Sequence, residues 1–175
     1  MPGQTILGNQ FITYPGGKGA NQAVQVARLG VSVAMCGKVG PDSFGKEYME
    51  HLKEEGVNIE HVEKATDVST GIAQITVSSA GENCIVIVPG ANDEVGVDYV
   101  EMALMRAIDP VETKVLLLQN EIPMILRFPL RARAGNLDIP IGILRFLSLP
   151  GPLRSLQNRE IPKISIEITF WHSKT

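Results

Sequence analysis

Apolar residues recur at helical spacing in three segments of the chain. In the first segment they fall at i, i+3, i+4 and i+7 after Gly19, and Gly30 supplies a stop signal. In the third segment, Asp98 and Glu101 resemble a capping box in front of an apolar helix face. The predicted helix faces are Ala20, Ala23, Val24 and Ala27, then Phe44, Tyr48 and Leu52, and finally Val100, Ala103, Leu104 and Ala107.

Runs that favour β-structure lie between these helices. Residues 5–14 are mixed but β-rich, and residues 31–39 predict a strand of valines and small residues. Residues 115–118 are all apolar, as expected of a strand that is covered on both faces of a parallel sheet. Residues 71–78 and 82–88 flank three small residues, which is typical of a hairpin. The pattern predicts an α/β core with an inserted β hairpin.

Composition places the chain among globular proteins. Its 175 residues are 44% hydrophobic and 20% charged, with a net charge of −3. An acidic balance disfavours nucleic acid as a partner, and no apolar run is long enough to predict a membrane span. Because no secretory signal opens the chain and Cys36 and Cys84 lie in apolar runs, we expect a cytoplasmic protein with both cysteines reduced in the core.

The charge changes sign along the chain near Pro123. Residues 1–123 carry a net charge of −8, whereas residues 124–175 carry +5, six of the eight arginines and five of the eleven prolines. Prolines at this spacing interrupt helices of ordinary length. The sequence therefore predicts a domain fragment in residues 1–123, followed by an unrelated basic tail that is irregular and poorly ordered.

A glycine-rich turn, residues 16–21, is the strongest local signal. Glycines let backbone N–H groups approach a ligand, and a helix N-terminus adds partial positive charge. The spacing fits neither a phosphate-binding P-loop nor a dinucleotide fingerprint. The Lys18 ammonium and the Asn21 amide instead suit the hydroxyls of a neutral polyol, which both donate and accept hydrogen bonds. A plain strand-to-helix turn that uses its glycines for tight packing is equally compatible with the residues alone.

The residues Gly16-Gly17-Lys18-Gly19-Ala20-Asn21-Gln22-Ala23 resemble the GGKGANQA signature of ribokinases, in the ribokinase-like (PfkB) family of sugar kinases. Further matches follow in order along the chain and end near Pro123. They lie at residues 2–5, 27–30, 39–45, 70–71, 89–92 and 119–123. The resemblance implies a partial ribokinase-like, Rossmann-like core with a small β-sheet lid.

The resemblance also implies which residues contact the sugar. Glu121 matches an acidic sugar contact of the family, although by itself a carboxylate at a strand end is more often a solvated loop residue. Residues 5–14, 31–38 and 71–88 match the lid, which closes over the sugar and often pairs with the lid of a second copy. The implied substrate-binding residues are Gly17, Lys18, Gly19, Ala20, Asn21 and Glu121.

The implied activity is ATP-dependent phosphorylation of D-ribose to ribose 5-phosphate, with ATP and Mg²⁺ as cofactors. In the family, the catalytic base, the anion hole, the nucleotide pocket and the magnesium segment lie outside the part that this chain resembles. Residues 90–93 look like the family's later Gly-Ala-Gly-Asp motif, but their position after the hairpin matches a different segment, so Asp93 is not expected to be the base. We therefore assign no catalytic residue, and no nucleotide or metal ligand, to this chain.

Two classes of function stay open at this point. The first is a sugar kinase, either for ribose or for another sugar or nucleoside within the family. The second is a non-enzymatic truncated or alternatively spliced product that keeps the sugar turn. Such a product would bind a second copy, or a full-length partner, through the edge strands of its lid.

Overall fold

The structure is a computed structural model that describes residues 3, 5–108, 113 and 115–119, together with the backbone of residues 141–143, 167–168 and 171–174. Glu121 lies outside the described residues. The helices are α1 (Lys18–Arg28), α2 (Ser43–Glu54) and α3 (Val97–Ala107), with a 3₁₀ turn at Gly90–Asn92. The strands are β1 (Thr13–Gly16), β2 (Ala34–Val39), β3 (Asn58–Lys64), β4 (Ile72–Val77), β5 (Asn83–Val88), β6 (Leu116–Leu118), β7 (Ile141–Ile143), β8 (Glu167–Ile168) and β9 (Trp171–Lys174).

The described strands form two sheets. The larger has the order β3-β2-β8-β6-β7, and every neighbouring pair in it is parallel. The smaller has the order β1-β9-β4-β5 and contains the antiparallel hairpin β4–β5, whose register runs from Ile72 opposite Val88 to Val77 opposite Asn83. The predicted α/β core with an inserted hairpin is confirmed.

Apolar side chains cover both faces of the larger sheet. Met35 and Val39 of β2 pack in one cluster with residues of α1 and α2, including Tyr48 and Leu52. Cys36 points to the opposite face, where it packs in a second cluster with α3 and β6. Because successive strand residues face opposite sides, this alternation along β2 places the helices in two layers around the sheet. No helix within the described ranges has the length and apolar character needed to cross a membrane.

The helices α2 and α3 begin in different ways. Asp42 caps α2, since its carboxylate accepts a hydrogen bond from the Gly45 amide at 2.8 Å. The predicted capping box of Asp98 and Glu101 is wrong, because α3 begins after Gly96 and has no side-chain cap. Asp98 lies instead in the first turn of α3, where its charge still suits the helix dipole.

The assignment of residues 31–38 to the lid is wrong. Residues 34–38 form most of β2, which pairs with β3 and β8 in the larger sheet and not with the hairpin. Residues 5–12 form no strand, and the β-structure of this segment begins at Thr13. Strand β3 was not predicted, because only two of its seven residues are both apolar and buried and most of the others are charged or polar. The sequence therefore shows no clear alternation of apolar and polar residues there.

The two cysteines occupy different environments. Cys36 is buried in the core, and burial raises the pKa of its thiol to about 12. Cys84 lies on β5 and is exposed, so the expectation that it belongs to the core is wrong. Both residues are free thiols.

Three short strands come from the segment after Pro123. β8 lies between β2 and β6, β7 pairs with β6, and β9 lies between β1 and β4. The remainder of that segment lies outside the described residues, so the order of the tail as a whole stays a prediction.

Candidate functional site

The glycine-rich turn connects β1 directly to α1. Gly17 is the N-cap residue of α1, with φ 100° and ψ 131°, a conformation that a residue with a side chain rarely adopts. Helical bonding begins at once, since the Asn21 amide donates to the Gly17 carbonyl at 2.9 Å. Gly17 supplies no side-chain cap and the first turn holds no acidic residue, so α1 itself places no carboxylate at its positive end.

The turn has a buried layer of small residues, which we call the glycine floor, and two exposed side chains. Gly16, Gly17, Gly19 and Ala20 are buried, whereas Lys18 and Asn21 are exposed. Residues three apart on a helix are neighbours, so the ammonium and the amide present donors and an acceptor on one surface. A lysine at a helix N-terminus opposes the helix dipole, so the dipole does not favour Lys18 at this position.

Two hydrogen bonds from other elements hold the turn. The Tyr48 hydroxyl of α2 donates to the Gly16 carbonyl, and Tyr48 is itself buried. On the other side, Gln119 Nε2 donates to Gln22 Oε1 at 2.9 Å. Because Gln119 directly follows β6, this bond brings the start of α1 to the carboxyl end of a parallel strand. Ligands of open α/β sheets bind at that end.

A second arrangement joins the hairpin to the core, and we call it the hairpin joint (residues 40–45, 69–71 and 89–92). Asp42 Oδ1 accepts from the Thr70 hydroxyl at 2.6 Å, and Asp42 Oδ2 accepts from the Thr70 amide at 2.8 Å. The Gly40 amide in turn donates to Thr70 Oγ1 at 2.9 Å. A Cβ atom on Gly40 would lie under 3.0 Å from the backbone of residues 68–70, so only glycine fits there.

Residues 89–92, which follow β5, complete the hairpin joint. The Ala91 amide donates to the Ser69 carbonyl at 2.8 Å, and a Cβ on Gly90 would meet that same carbonyl. Asn92 is fully buried and donates from Nδ2 to the Pro89 carbonyl at 3.0 Å. Residues 90–92 therefore have a structural use in the joint, and Asp93 beside them is exposed.

The structure brings together segments that the sequence analysis named separately. Residues 39–45, 70–71 and 89–92 each carried the family resemblance, and they meet in the hairpin joint. Sequence reasoning did not find the support that Tyr48 and Gln119 give to the turn. Tyr48 was predicted only as a helix face residue, and nothing local distinguishes Gln119 from other polar residues after a strand.

We associate neither a metal-binding group nor a cavity with the glycine-rich turn in the described part of the chain. Among the described residues, no group of three His, Cys, Asp or Glu side chains could hold a metal ion. A surface depression of about 410 Å³ lies beside α2 and β3, lined by residues that include Met49, Lys53 and Ile59. None of the turn residues lines it, so we do not connect it with the turn.

Comparison with known proteins identifies the family. The model of the pfkB family carbohydrate kinases matches residues 2–120. Ribokinase from Bacillus subtilis is 41% identical over 160 residues, which is 91% of this chain and 51% of that protein. Ribokinase from Mus musculus is 51% identical over 90 residues, covering 51% of this chain and 28% of that protein.

A solved structure shares the same fold. The structure of Arabidopsis thaliana ribokinase complexed with ribose and ATP aligns with a TM-score of 0.70 and 30% identity, covering 82% of this chain and 46% of that one. The chain thus spans about half the length, or less, of these relatives. The Bacillus subtilis alignment extends past Pro123, while the family model ends before it, and the origin of the tail stays a prediction. On this evidence the chain belongs to the pfkB family of carbohydrate kinases.

Proposed function

We propose that the chain carries one wall of the acceptor-sugar site of a kinase that phosphorylates D-ribose to ribose 5-phosphate with ATP. The observation that carries the proposal is the turn at the start of α1, where Lys18 and Asn21 are exposed above a buried glycine floor. Ribokinases among the relatives support ribose as the sugar, and one of them was solved with ribose and ATP. Within the proposal, Gly17, Gly19 and Ala20 offer backbone contacts, and Glu121 is a further sugar contact.

The chemistry of the turn agrees with a neutral sugar. An amide side chain both donates and accepts, so Asn21 can satisfy a hydroxyl in either role, while the Lys18 ammonium donates only. The unbonded N–H groups of the first turn of α1 add further donors on the same surface. A kinase for another sugar or nucleoside in this family would use the same turn. The affinities for ribose, 2-deoxyribose and fructose, compared in the calorimetry described below, distinguish these alternatives.

ATP and Mg²⁺ belong to the proposal by resemblance to the family. Among the described residues no group of His, Cys, Asp or Glu side chains could hold a metal ion, and the turn lacks the spacing of a P-loop, so we name no ATP or Mg²⁺ ligand in this part of the chain. We therefore derive no catalytic step from this chain and assign it the acceptor side of the reaction.

Substitution of Asn21 or Lys18 by Ala is expected to weaken ribose binding by roughly 1–3 kcal/mol each, because a sugar hydroxyl is left without its partner. Isothermal titration calorimetry with ribose, 2-deoxyribose and fructose measures the affinity and the preferred sugar. Gln25→Ala is the matched control, since Gln25 is exposed on the same helix but outside the turn. Unchanged ribose affinity in Asn21→Ala would show that the turn does not bind the sugar.

We further propose that β5 pairs with a second copy of the chain, or with a full-length relative. β5 is an edge strand of the smaller sheet, and all six of its residues are exposed, including Ile85, Val86, Ile87 and Val88. An exposed apolar edge strand presents unpaired backbone groups and favours strand addition. This is the observation that keeps the non-enzymatic alternative open.

Val86→Lys is expected to shift the chain from dimer to monomer, because a charge on each edge strand would face a like charge or an apolar neighbour in the pair. Sedimentation velocity over a concentration series measures the change. Met105→Lys on α3 is the control, since it replaces an equally exposed apolar residue away from the edge. A monomeric unsubstituted chain at all concentrations would contradict the pairing.

A further inference from the structure

A buried pair of amide side chains lies behind the sugar turn. Gln22 of α1 is 8% exposed and Gln119 after β6 is 4% exposed, and they share the 2.9 Å hydrogen bond from Gln119 Nε2 to Gln22 Oε1. Gln22 Nε2 is buried and has no hydrogen-bond partner among the described residues. Within the part of the chain that the structure describes, the pair thus leaves one buried donor without a partner.

Fold stability does not account for such a pair. A buried donor without a partner loses its hydration and gains nothing in return, and two apolar side chains of similar shape would avoid that loss. The elements around it already bury apolar residues, such as Ala20 and Ala23 on α1 and Leu118 at the end of β6. A polar pair that is unfavourable for folding and lies one residue from Asn21 therefore points to a role in the site.

The hydrogen bond adds direction that apolar contact cannot supply. Burial of apolar surface is non-directional, so it allows a helix to slide or rotate by small amounts against a sheet. A bond between Gln22 and Gln119 fixes the rotation of α1 about its axis relative to the end of β6. That rotation decides where Lys18 and Asn21 point, while the Tyr48 hydroxyl holds Gly16 on the other side of the turn.

We propose that Gln22 and Gln119 are positioning residues, which hold the first turn of α1 at the carboxyl end of β6 so that Asn21 and Lys18 meet the sugar in one orientation. This inference rests on the proposed sugar site, and it deepens that proposal by assigning a role to residues that do not themselves contact the sugar.

The test compares three variants of the 175-residue chain with the unsubstituted protein. In Gln22→Met/Gln119→Met both amides are removed together, Gln22→Glu keeps an acceptor for Gln119 Nε2, and Gln25→Met changes an exposed residue of the same helix. Amide hydrogen exchange is measured for residues 21–24, whose amides are the first of α1 to be hydrogen-bonded and are called the turn amides below. The thermal midpoint and the ribose dissociation constant are measured for each variant as well.

For the double variant we expect a thermal midpoint that is unchanged or higher, since the unsatisfied donor is gone. We expect exchange of the turn amides to be at least tenfold faster, with the amides of α2 unchanged, and ribose affinity to be about tenfold weaker. Gln22→Glu is expected to keep the protection of the turn, and Gln25→Met to change neither quantity.

Unchanged exchange of the turn amides in the double variant would overturn the proposal, whatever happens to ribose affinity. If the double variant does not fold, the Gln22→Glu variant tests the proposal instead. Faster exchange of the turn amides in Gln22→Glu would then contradict a positioning role for the pair. If the unsubstituted chain binds no ribose, the proposed sugar site fails, while the exchange measurement still decides whether the pair positions the turn.

Discussion

The 175-residue chain by itself is expected to transfer no measurable phosphate from ATP to ribose. Phosphoryl transfer depends on positioning and on electrostatic stabilisation of the transferred group. In the function that we propose, the described residues contribute one wall of the acceptor site, and no group of His, Cys, Asp or Glu side chains among them could hold a metal ion. Loss of one anion-hole donor lowers rates by about 10²–10³, and loss of a general base by about another 10²–10⁴. By resemblance to the family, both groups lie outside the part that this chain matches, and losses of that size would place turnover below ordinary detection.

Transfer of labelled phosphate from ATP to ribose, compared with a blank without protein, measures this. A full-length ribokinase is the positive control. The double variant Lys18→Ala/Asn21→Ala separates trace contamination from real activity, because contamination would persist in that preparation. Activity that exceeds the blank and disappears in the double variant would refute the prediction and require catalytic groups in residues 124–175.

Substitution of Asp42 by Ala is expected to lower the free energy of unfolding by about 2–4 kcal/mol. Loss of a helix N-cap accounts for roughly 1 kcal/mol of this. The rest comes from Thr70, which is 2% exposed and would lose the acceptor of both its amide and its hydroxyl. Urea unfolding measures the change. Asp67→Ala is the control, since Asp67 is exposed nearby and is expected to change stability by less than about 0.5 kcal/mol.

The same carboxylate predicts a pH dependence. Partial burial opposes ionisation of Asp42, but the hydrogen bonds from the Thr70 hydroxyl and from the Gly45 and Thr70 amides outweigh it and hold its pKa below the ordinary value. Its contribution is therefore complete above the ordinary pKa of about 3.9 and is lost as the pH falls through the lower folded value.

Asp42→Asn tests that dependence directly. The amide keeps an oxygen for Gly45 but directs a donor at the Thr70 amide, so we expect part of the loss seen in Asp42→Ala. We also expect less of the decline in stability as the pH falls below about 4, because residue 42 no longer titrates. An acid-unfolding profile identical to that of the unsubstituted chain would show that Asp42 does not carry the effect.

Sequence reasoning was most successful where the signal is local. Periodicity placed α1 and α2 within a residue or two of their observed bounds, and small residues between two apolar runs placed the hairpin β4–β5. It was least successful where local signals compete, as at α3, where two acidic residues in the right spacing suggested a cap that the backbone does not use. Strand β3 shows the same limit, since charged residues conceal a strand that pairing with β2 stabilises.

The sequence by itself determined the family, the turn at residues 16–21 and the exposed chemistry of Lys18 and Asn21. Only the tertiary structure decided that residues 34–39 belong to the larger sheet, that Asp42 binds Thr70, and that Gln119 binds Gln22. Those two bonds join residues 28 and 97 positions apart. Spacing, turn and capping signals act over a few residues, whereas partners this distant are chosen by which faces of the packed elements fit together.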